Sequence, residues 1–227
     1  MELALDTSTD SASIALSHRG DVRGEMTWHA GQNHTMELAP NVLYLLRQGG
    51  IGVEALEAVF VARGPGSFNG VRVAMAAAKG LAFALGIPLV GVSTLEIEAF
   101  PYADSGLPIY PIQNAGRGEV ATATFVSHER RWQRLVAEHI STLPELCAGL
   151  TGESILCGPF SRDMVLQIER QGGERAIVRS VVRRAGFLAQ LGWSRLESGD
   201  TDNPSTLQPL YLRPPAITTR KKREISR

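Results

Sequence analysis

A glycine-rich turn that leads into an apolar helix has the residue types and spacing best suited to bind an anion. It reads Gly64-Pro65-Gly66-Ser67-Phe68-Asn69-Gly70-Val71-Arg72. Backbone N–H groups at the start of a helix attract phosphate or carboxylate groups. Arg72 and Lys79, seven residues apart, would lie on one side of this helix and could serve that anion or a carboxylate of a partner. The turn therefore either binds an anion or positions the helix for packing.

The common nucleotide-binding motifs do not fit this turn. No glycine falls five residues before a Gly-Lys pair, as the P-loop requires, and Asn69 stands where the dinucleotide fingerprint needs its third glycine. Ser67 is outside a G-x-S-x-G motif, and the five histidines lack metal-ligand spacing. Cys147 and Cys157 lie in apolar segments and are predicted to be buried free thiols. The residues themselves predict neither a catalytic group nor a metal site.

A second group of polar side chains follows the first predicted strand, where Asp6 precedes the hydroxyl groups of Thr7, Ser8 and Thr9. Such side chains commonly satisfy backbone donors within a turn, which is the interpretation we favour, and they can also receive a phosphate. The residues of the turn and of this possible anion contact are Asp6, Thr7, Ser8, Gly64, Gly66, Ser67, Asn69, Gly70 and Arg72.

The helix after the turn has almost no polar surface. Ala74, Ala78 and Ala82 recur every four residues, and small side chains let another backbone approach closely. The helix is therefore either buried within its own domain or packed against another subunit. The preceding helix is rich in leucine, so the pair could present one joint apolar face. The predicted partner-interface residues are His34, Leu38, Val42, Leu45, Arg72, Met75, Ala78, Lys79 and Ala82.

The N-terminal half predicts one sheet flanked by helices. The predicted strands are 2–5, 12–16, 22–28, 57–62 and 87–92, and the predicted helices are 36–48, 71–85 and 94–99. The first three strands should pair antiparallel, and the later strand, helix and strand indicate a right-handed crossover. Pro40 requires the first helix to start close to it or to kink, so its start lies between residues 33 and 39. His34 at this entrance is interpreted as a packed or hydrogen-bonded ring rather than a catalytic group.

The composition changes past Pro101, where Gly, Pro and Ser residues precede a new set of apolar runs. Strands are predicted at 109–113, 119–126, 132–137 and 155–157, and helices at 162–171 and 181–196. The second half thus begins with paired strands, as the first does, although no residue-level repeat is visible. Arg183 and Arg184 are predicted to lie on a solvated face of the last helix.

Three regions follow from this reading. Residues 1–103 form the predicted N-terminal domain, which carries the two partner-binding helices. Residues 104–218 form a smaller, diverged second domain that includes the C-terminal helix. Residues 219–227 form a basic tail that we predict to be disordered, with nonspecific attraction to RNA phosphates as the open alternative.

The composition excludes a strong overall electrostatic preference. The 227 residues include 23 basic and 23 acidic side chains, so the net charge is zero and gives no general attraction to nucleic acid or an anionic membrane. The apolar runs are shorter than the roughly 20 residues that a membrane helix needs. Met1 leads directly into a strand, without the basic segment of a signal peptide. A cytoplasmic protein without membrane segments is expected.

Several of these segments together resemble the TsaB family, also called YeaZ, the partner subunit of the bacterial machinery that makes threonylcarbamoyladenosine in tRNA. The matching segments are Leu3-Ala4-Leu5-Asp6-Thr7-Ser8, His34 with Leu38 and Pro40, the Gly-Pro-Gly-Ser-Phe turn through Gly70 and Arg72, residues 88–95, and Tyr211-Leu212-Arg213. The central turn is specific to this family, whereas the second half matches loosely.

The sequence departs from the family pattern at three places. Asn69 stands where the family usually has Thr, and Ala74 where it usually has Gly. Asn can also cap a helix, so the helix placement is retained, whereas the methyl group of Ala74 could alter the fit of a partner. The Asp-Ala-Arg strand end of the family is here Asn114-Ala115-Gly116, which loses a carboxylate and puts the role of that loop in question.

The resemblance implies an α/β fold of the actin, Hsp70 and sugar kinase group (ASKHA), with two related domains of mixed β-sheets flanked by helices. The family is similar to the catalytic subunit TsaD, in which two histidines four residues apart bind a metal. Thr94 and Glu98 stand at the corresponding positions of this sequence. A metal site needs several well-placed ligands, so the resemblance implies a chain that cannot carry out the metal-assisted transfer alone.

The function implied by the resemblance is a noncatalytic scaffold, not an enzyme in itself, that binds a TsaD-type catalytic subunit through helices 36–48 and 71–85. It would support tRNA N6-threonylcarbamoyladenosine formation at A37, with a TsaE-type ATPase and tRNA as further partners. No cofactor is expected in the isolated chain, whereas ATP, Mg and a catalytic metal are expected in the partner subunits. The alternatives are a self-sufficient ATP-dependent enzyme or peptidase of the same fold, and a homodimer through the same helices when TsaD is absent.

Overall fold

The computed structural model describes residues 1–129, 131–180 and 182–213. The predicted tail at residues 219–227 lies outside these ranges. The strands are β1 (Glu2–Asp6), β2 (Ser11–His18), β3 (Asp21–His29), β4 (Ala58–Ala62), β5 (Leu89–Val92), β6 (Ile109–Gly116), β7 (Glu119–His128), β8 (Arg131–Thr142), β9 (Ser154–Gly158) and β10 (Ala176–Ser180). The α-helices are α1 (His34–Gln48), α2 (Phe68–Leu85), α3 (Thr94–Ala99), α4 (Leu143–Ala148), α5 (Arg162–Gly172) and α6 (Ala185–Glu197).

The strands form two mixed sheets of identical topology. Their orders are β3-β2-β1-β4-β5 and β8-β7-β6-β9-β10. In each sheet the first three strands along the chain pair antiparallel, and the last two join in parallel. The α/β class with two related mixed sheets is therefore confirmed. The duplication that the sequence suggested without a residue-level repeat is confirmed at the level of strand order.

The central strands of the first sheet are apolar throughout because both of their faces are covered. Leu3 and Leu5 of β1 pack in the core beneath α1 and α2, whereas Ala4 packs in the core beneath α6. β4 alternates in the same way, with Val59 and Phe60 in different cores. This double coverage is what a continuous apolar strand indicates in sequence.

The third helix of each half packs against the sheet of the other half. α3 contributes Leu95 and Ala99 to a core with the second sheet. α6, which the sequence assigned to the second domain, instead packs Ala185 and Leu188 against β1, β2 and β4 of the first sheet. The two halves therefore share two cores. The boundary between residues 103 and 104 stays a prediction.

The first helix starts within its predicted range of residues 33–39, whereas the second starts before its predicted position. α1 begins at His34, so Pro40 lies in its second turn on the exposed side. α2 begins at Phe68, three residues before its predicted start, because the side chain of Ser67 accepts a hydrogen bond from the Gly70 N–H group at 3.3 Å and caps the helix. Asn69, which the sequence suggested as a cap, is the second residue of the helix.

Two elements are absent from the sequence prediction. α4 begins with a capping box. The side chain of Thr142 accepts a hydrogen bond from the backbone N–H group of Glu145, and the side chain of Glu145 accepts one from the backbone N–H group of Thr142. Their Thr-x-x-Glu spacing is a recognised start signal, so this helix was readable from the sequence. β10 is a short outer strand whose last residues, Arg179 and Ser180, are exposed, and it lacks the alternation that marks longer strands.

Within the part of the chain that the structure describes, one helix, α2, is long and apolar enough by length and composition to cross a membrane. One side of it packs in the core of the first sheet through Ala74, Met75, Ala78 and Ala82. We therefore interpret α2 as a helix that covers the sheet and has an apolar outer side.

Candidate functional site

The outer sides of α1 and α2 form an apolar groove of about 670 Å³, which we call the helix-pair groove. The residues that line its outer part are Ala39, Leu43, Val73, Ala76, Ala77 and Gly80. Met36 and Phe83 on the same two helices are 79% and 80% exposed. Exposed apolar side chains on two helices that flank an apolar groove are typical of a surface that binds another molecule.

Seven of the nine predicted partner-interface residues lie in the core of the chain itself. These are His34, Leu38, Val42, Leu45, Met75, Ala78 and Ala82. Leu38 and Val42 also border the helix-pair groove, Arg72 is exposed at its rim, and Lys79 is half-buried. The interface remains a prediction, and the accessible residues of the same two helices are the ones available to form it.

α2 carries small residues on both sides. Ala74 and Ala78 belong to the buried row that packs on the sheet, so the methyl group of Ala74 faces the core rather than a partner. Ala76, Gly80 and Ala84 form a second row with the same four-residue spacing, and all three are exposed. The two rows are offset by two residues, or about 200° around the helix axis.

Gly80 is explained poorly by the chain's own packing. A Cβ atom added there would meet nothing within 4 Å. Glycine in a helix interior costs about 0.5–1 kcal/mol relative to alanine, so this position gives up stability without an intramolecular benefit. An added Cβ at Gly70, in contrast, would lie 2.1 Å from the carbonyl oxygen of Thr7. Gly80 therefore marks a place where a second backbone can approach α2.

The glycine-rich turn packs directly on the Asp6 loop. The Oγ1 hydroxyl of Thr7 donates to the carbonyl oxygen of Gly70 at 2.6 Å and accepts from the N–H group of Ala74 at 3.0 Å. The Ser67 N–H group donates to the carbonyl oxygen of Ser8 at 2.8 Å. These contacts give the turn and its hydroxyl groups a structural role. An anion contact at these residues stays a prediction.

His34 is a packed, hydrogen-bonded ring. Its Nε2 atom lies 2.7 Å from the carbonyl oxygen of Thr9. Because a carbonyl oxygen only accepts, Nε2 must carry the hydrogen. The prediction of a packed, hydrogen-bonded ring is confirmed, and the ring connects the start of α1 to the loop after β1.

A polar cleft of about 490 Å³ lies between the two halves, and its lining includes Ser8, Gly66, Asn114 and Pro159. The side chain of Arg183 lies at its base and is only 4% exposed. The wall of the cleft includes the turn after β1, the glycine-rich turn and the end of β6, so all three are brought together by the fold.

Arg183 joins several of these elements through its guanidinium group. Its Nε atom donates to Oδ2 of Asp6 at 2.7 Å, and Nη2 donates to the hydroxyl oxygen of Ser8 at 2.5 Å. Nη1 donates to the Glu98 carboxylate at 3.4 Å. The side-chain amide of Gln113 lies beside it and, with its oxygen turned toward Arg183, donates to the carbonyl oxygen of Pro65 at 2.8 Å. One cation therefore connects β1, α3 and β6.

The predicted solvated face is wrong for Arg183 and right for Arg184. α6 begins at Ala185, so Arg183 precedes the helix and turns inward, whereas the Arg184 side chain is 60% exposed and pairs with Glu25. Asp6 lies 177 residues before Arg183 in the sequence. No local pattern distinguishes the two arginines, so sequence reasoning could not have identified the buried one.

The two positions that correspond to the metal-binding histidines of the catalytic relative have structural partners here. Thr94 donates through Oγ1 to the carbonyl oxygen of Pro65 at 2.5 Å and so holds the glycine-rich turn. Glu98 is 1% exposed. Burial raises the pKa of Glu98 to about 7, against the opposing attraction of Arg183.

The cysteines are free and buried, as predicted. Burial raises the pKa of the Cys147 thiol and holds that of Cys157 well above its usual range, so neither is a ready thiolate.

One group of side chains within the described ranges has the spacing for a metal ion. Ligand atoms of Glu2, His18 and Glu57 lie within 4.8 Å of one another, at the edge of the first sheet opposite the Asp6 loop. The Glu2 carboxylate already accepts from the Ser17 hydroxyl at 2.6 Å and the Arg19 N–H group at 2.9 Å. Glu57 pairs with the N-terminal amine. These partners account for both carboxylates.

Comparisons with known proteins agree on one family. The sequence model of the family described as TsaD, tRNA N6-adenosine threonylcarbamoyltransferase, matches residues 24–156. The TsaB protein of Haemophilus influenzae is 41% identical over 97 residues, which cover 43% of this chain and 41% of that protein. The chain spans about half or less of the length of the curated TsaB relatives it matches. An uncharacterized protein of Mycobacterium tuberculosis is 30% identical over 94% of this chain and 92% of its own length.

Solved structures agree with these sequences. YeaZ from Pseudomonas aeruginosa has a TM-score of 0.81 and 26% identity, with 93% of this chain and 99% of that chain covered. An activator of 2-hydroxyisocaproyl-CoA dehydratase from Clostridium difficile shares the fold alone, with a TM-score of 0.52 and 11% identity over 87% of this chain and 96% of its own. The architecture is that of the actin, Hsp70 and sugar kinase group. With its family-specific turn, its duplicated sheets and these relatives, the chain belongs to the TsaB (YeaZ) family.

Proposed function

We propose that this chain is a noncatalytic subunit that binds a TsaD-type catalytic subunit through the helix-pair groove. In that complex it supports formation of N6-threonylcarbamoyladenosine at A37 of tRNA, in the cytoplasm. The pathway is inferred from the relatives named TsaB, which are described as tRNA threonylcarbamoyladenosine biosynthesis proteins. The single observation that carries the mode of action is the exposed apolar groove with Gly80 open on its outer row. ATP, Mg and the catalytic metal belong, in this proposal, to the TsaD-type and TsaE-type partners.

The helix pair is large enough for such a contact. α1 has 15 residues and α2 has 18, so they are about 22 and 27 Å long at 1.5 Å per residue. Two neighbouring helices of this length can supply the roughly 800 Å² per partner that a stable interface buries. Small residues on the outer row of α2 would let a helix of the partner pack closely.

The test is capture of the TsaD-type subunit from the same cell by the tagged chain. Ala76→Glu places a charge on the exposed outer row, where it can be solvated in the free chain but would be buried against a partner. Capture should fall at least tenfold while the melting temperature stays unchanged. Leu135→Glu is the matched control, because Leu135 is 57% exposed on β8 of the second sheet. Equal capture by wild type and Ala76→Glu would refute the groove as the binding surface.

A self-sufficient ATP-dependent enzyme of the same fold is the second candidate, and the polar cleft is the observation in its favour. Against it, the Asp6 carboxylate and the Ser8 hydroxyl are already paired with Arg183, so they are not free to hold a cation or phosphate. Calorimetric titration of the isolated chain with ATP and magnesium separates the two. Micromolar binding would favour the enzyme, and no heat of binding would favour the scaffold.

A peptidase function has less support than either of these candidates. One Pseudomonas aeruginosa structure is described as similar to peptidase YeaZ. In this chain the Ser67 hydroxyl caps α2, and both thiols have raised pKa values. A homodimer through the helix-pair groove when the catalytic subunit is absent would use the same surface, and sedimentation of wild type against Ala76→Glu measures it.

A further inference from the structure

An arginine at the rim of the helix-pair groove is held between two aromatic rings. The guanidinium carbon of Arg72 lies 3.6 Å from the centre of the Phe68 ring and 5.8 Å from that of Tyr211. Its Nε atom donates to the hydroxyl oxygen of Tyr211 at 2.9 Å. The two rings are themselves in contact, with centres 5.4 Å apart. Stacking and the Nε hydrogen bond fix the plane of the guanidinium group.

Tyr211 is brought to α2 by a segment that the chain anchors at several points. The Asp202 N–H group donates to the carbonyl oxygen of Leu89 at 2.8 Å. The Asp202 carboxylate accepts from the Gly91 N–H group, also at 2.8 Å. Leu207 is buried in the core of the first sheet. The Leu210 N–H group donates to the carbonyl oxygen of Arg63 at 2.7 Å. The ring of Tyr211 therefore rests on a fixed backbone.

The terminal nitrogens of Arg72 are available for a ligand. Within the described ranges, its one hydrogen bond to another side chain is that of Nε, and the residue is exposed. α1 and α2 together carry Arg47, Arg72 and Lys79 against a single carboxylate, Glu37, which already accepts from Trp28 Nε1 at 2.9 Å. A second copy of this chain would bring the same basic excess from its own two helices. The charge on this surface thus fits a different subunit that carries carboxylates.

We infer that Phe68 and Tyr211 hold Arg72 as a preorganised receptor for a carboxylate of the partner subunit at the rim of the helix-pair groove. The proposal rests on the function proposed above and names the chemistry by which the partner is recognised. With Nε occupied by Tyr211, the two terminal nitrogens present a fork that an Asp or Glu side chain can bind with two parallel hydrogen bonds. A fixed guanidinium loses little side-chain entropy when it binds, which favours affinity. Tyr211-Leu212-Arg213, a family motif distant in sequence, acquires a role as part of this site.

The test measures the dissociation constant of the purified chain with the TsaD-type subunit at about 0.05 M and 0.5 M salt. Arg72→Gln should weaken binding by about 10-fold to 100-fold at low salt and reduce the salt dependence, because it removes one charge-assisted pair. Tyr211→Phe keeps the ring and the charge but removes the acceptor of Nε, so we expect a loss of about threefold to tenfold with the salt dependence retained. Arg72→Lys should fall between these, since an ammonium group lacks the planar fork. Arg47→Gln, another exposed cation on the same helix pair, is the matched control and should change binding less than twofold.

The outcomes separate this inference from the function on which it rests. If Ala76→Glu abolishes binding while Arg72→Gln binds as wild type, the groove remains the interface and the carboxylate receptor is refuted. If Ala76→Glu and Arg72→Gln both bind as wild type, the proposed function and the receptor fall together. Equal losses for Arg72→Gln and Arg47→Gln would indicate general charge attraction and would also overturn the receptor. A melting temperature within about 2 °C of wild type, required of each variant, is expected because all of these side chains are exposed.

Discussion

At the scale of single residues, the polar cleft is organised by one buried cation between two carboxylates. Arg183 contacts Asp6 and Glu98, and each of the three side chains is at most 4% exposed. Breaking a buried pair by removing one partner is costly, because the remaining charge keeps its desolvation penalty without the attraction that offset it. The arrangement therefore stabilises the contact between the two halves only while all three groups are present.

Arg183→Met should lower the free energy of unfolding by about 3–5 kcal/mol, because it leaves the buried Asp6 carboxylate without its cation and removes a hydrogen-bond donor to Glu98. Arg184→Met is the control, since the Arg184 side chain is 60% exposed and its partner Glu25 would keep the hydrogen bond from the Gly186 N–H group, so a smaller loss is expected. Urea unfolding measures both. Similar losses for the two variants would contradict the assignment of Arg183 as the central group of the cleft.

Glu98 gives the stability of the chain a defined dependence on pH. Its pKa is raised in the folded state to about 7 from a reference value of 4.5, mainly by burial. Between these two values the folded chain retains a proton that the unfolded chain has released, so the free energy of unfolding falls as the pH rises through this window. The loss should be nearly complete about one pH unit above the folded pKa and is expected to be on the order of 3 kcal/mol.

The corresponding experiment compares wild type with Glu98→Gln by urea unfolding at pH 5 and pH 8. The difference between the two pH values should be smaller in Glu98→Gln by about 2–3 kcal/mol, since the amide does not titrate. Contributions from other groups are common to both proteins and cancel. An identical pH dependence in the two proteins would rule out a proton held at Glu98.

At the scale of elements, α2 uses small residues for two different purposes. The row that contains Ala74 and Ala78 brings the helix onto the sheet, and Gly70 lets it approach the Asp6 loop. The row that contains Ala76 and Gly80 faces outward and contacts nothing that requires small side chains. Replacing Gly70 or Gly80 with alanine should therefore have opposite effects on the stability of the chain, although both glycines lie in α2.

Gly80→Ala should stabilise the isolated chain by about 0.5–1 kcal/mol, since alanine is the better helix former and its Cβ has open space. The same substitution should weaken binding of the TsaD-type subunit, because the methyl group would enter the space that a partner helix needs. Gly70→Ala should destabilise the isolated chain by about 1–3 kcal/mol, since its Cβ would lie 2.1 Å from the Thr7 carbonyl oxygen. Thermal unfolding and binding measured on the same preparations decide this, and a Gly80→Ala variant that binds as well as wild type would remove the outer row from the interface.

At the scale of the whole molecule, the two halves are joined by the exchange of their third helices. α3 covers the second sheet and α6 covers the first, and Arg183 precedes α6 at the point where the chain crosses the polar cleft. Relative movement of the halves would have to disturb both cores and the buried ion pairs. This construction suits a rigid support that presents α1 and α2 to a partner.

The proposed support role predicts how reconstituted activity should depend on the chain. The chain alone, given tRNA and threonylcarbamoyl adenylate, should transfer no threonylcarbamoyl group, and transfer should require the TsaD-type subunit. Ala76→Glu should raise the concentration of chain needed for half-maximal transfer without changing the rate at saturation, because it acts on binding. Transfer of the threonylcarbamoyl group by the chain alone would contradict the proposed noncatalytic role.

Much of the fold could be predicted from the sequence because its signals are local. Continuous apolar runs identified β4 and β5, leucine periodicity identified α1, and the glycine-rich turn identified the start of α2 within three residues. Family resemblance added the two-sheet class. α4 had a readable capping box that was missed, whereas the short outer strand β10 carries little signal of its own.

The placement of the sites was decided by tertiary structure. Apolar and small residues at helical spacing give the same sequence pattern whether they face a sheet or a partner. The pattern therefore predicted Ala78 as an interface residue, whereas Ala78 is buried and Ala76 and Gly80 are accessible. Arg183 and Arg184 are chemically equivalent in sequence, and only the return of α6 to the first sheet buries one and exposes the other. The sequence by itself determined which elements form and which family they belong to, because those depend on local pattern. Which faces remain open, and which charges meet across 177 residues, depend on how the two halves pack together.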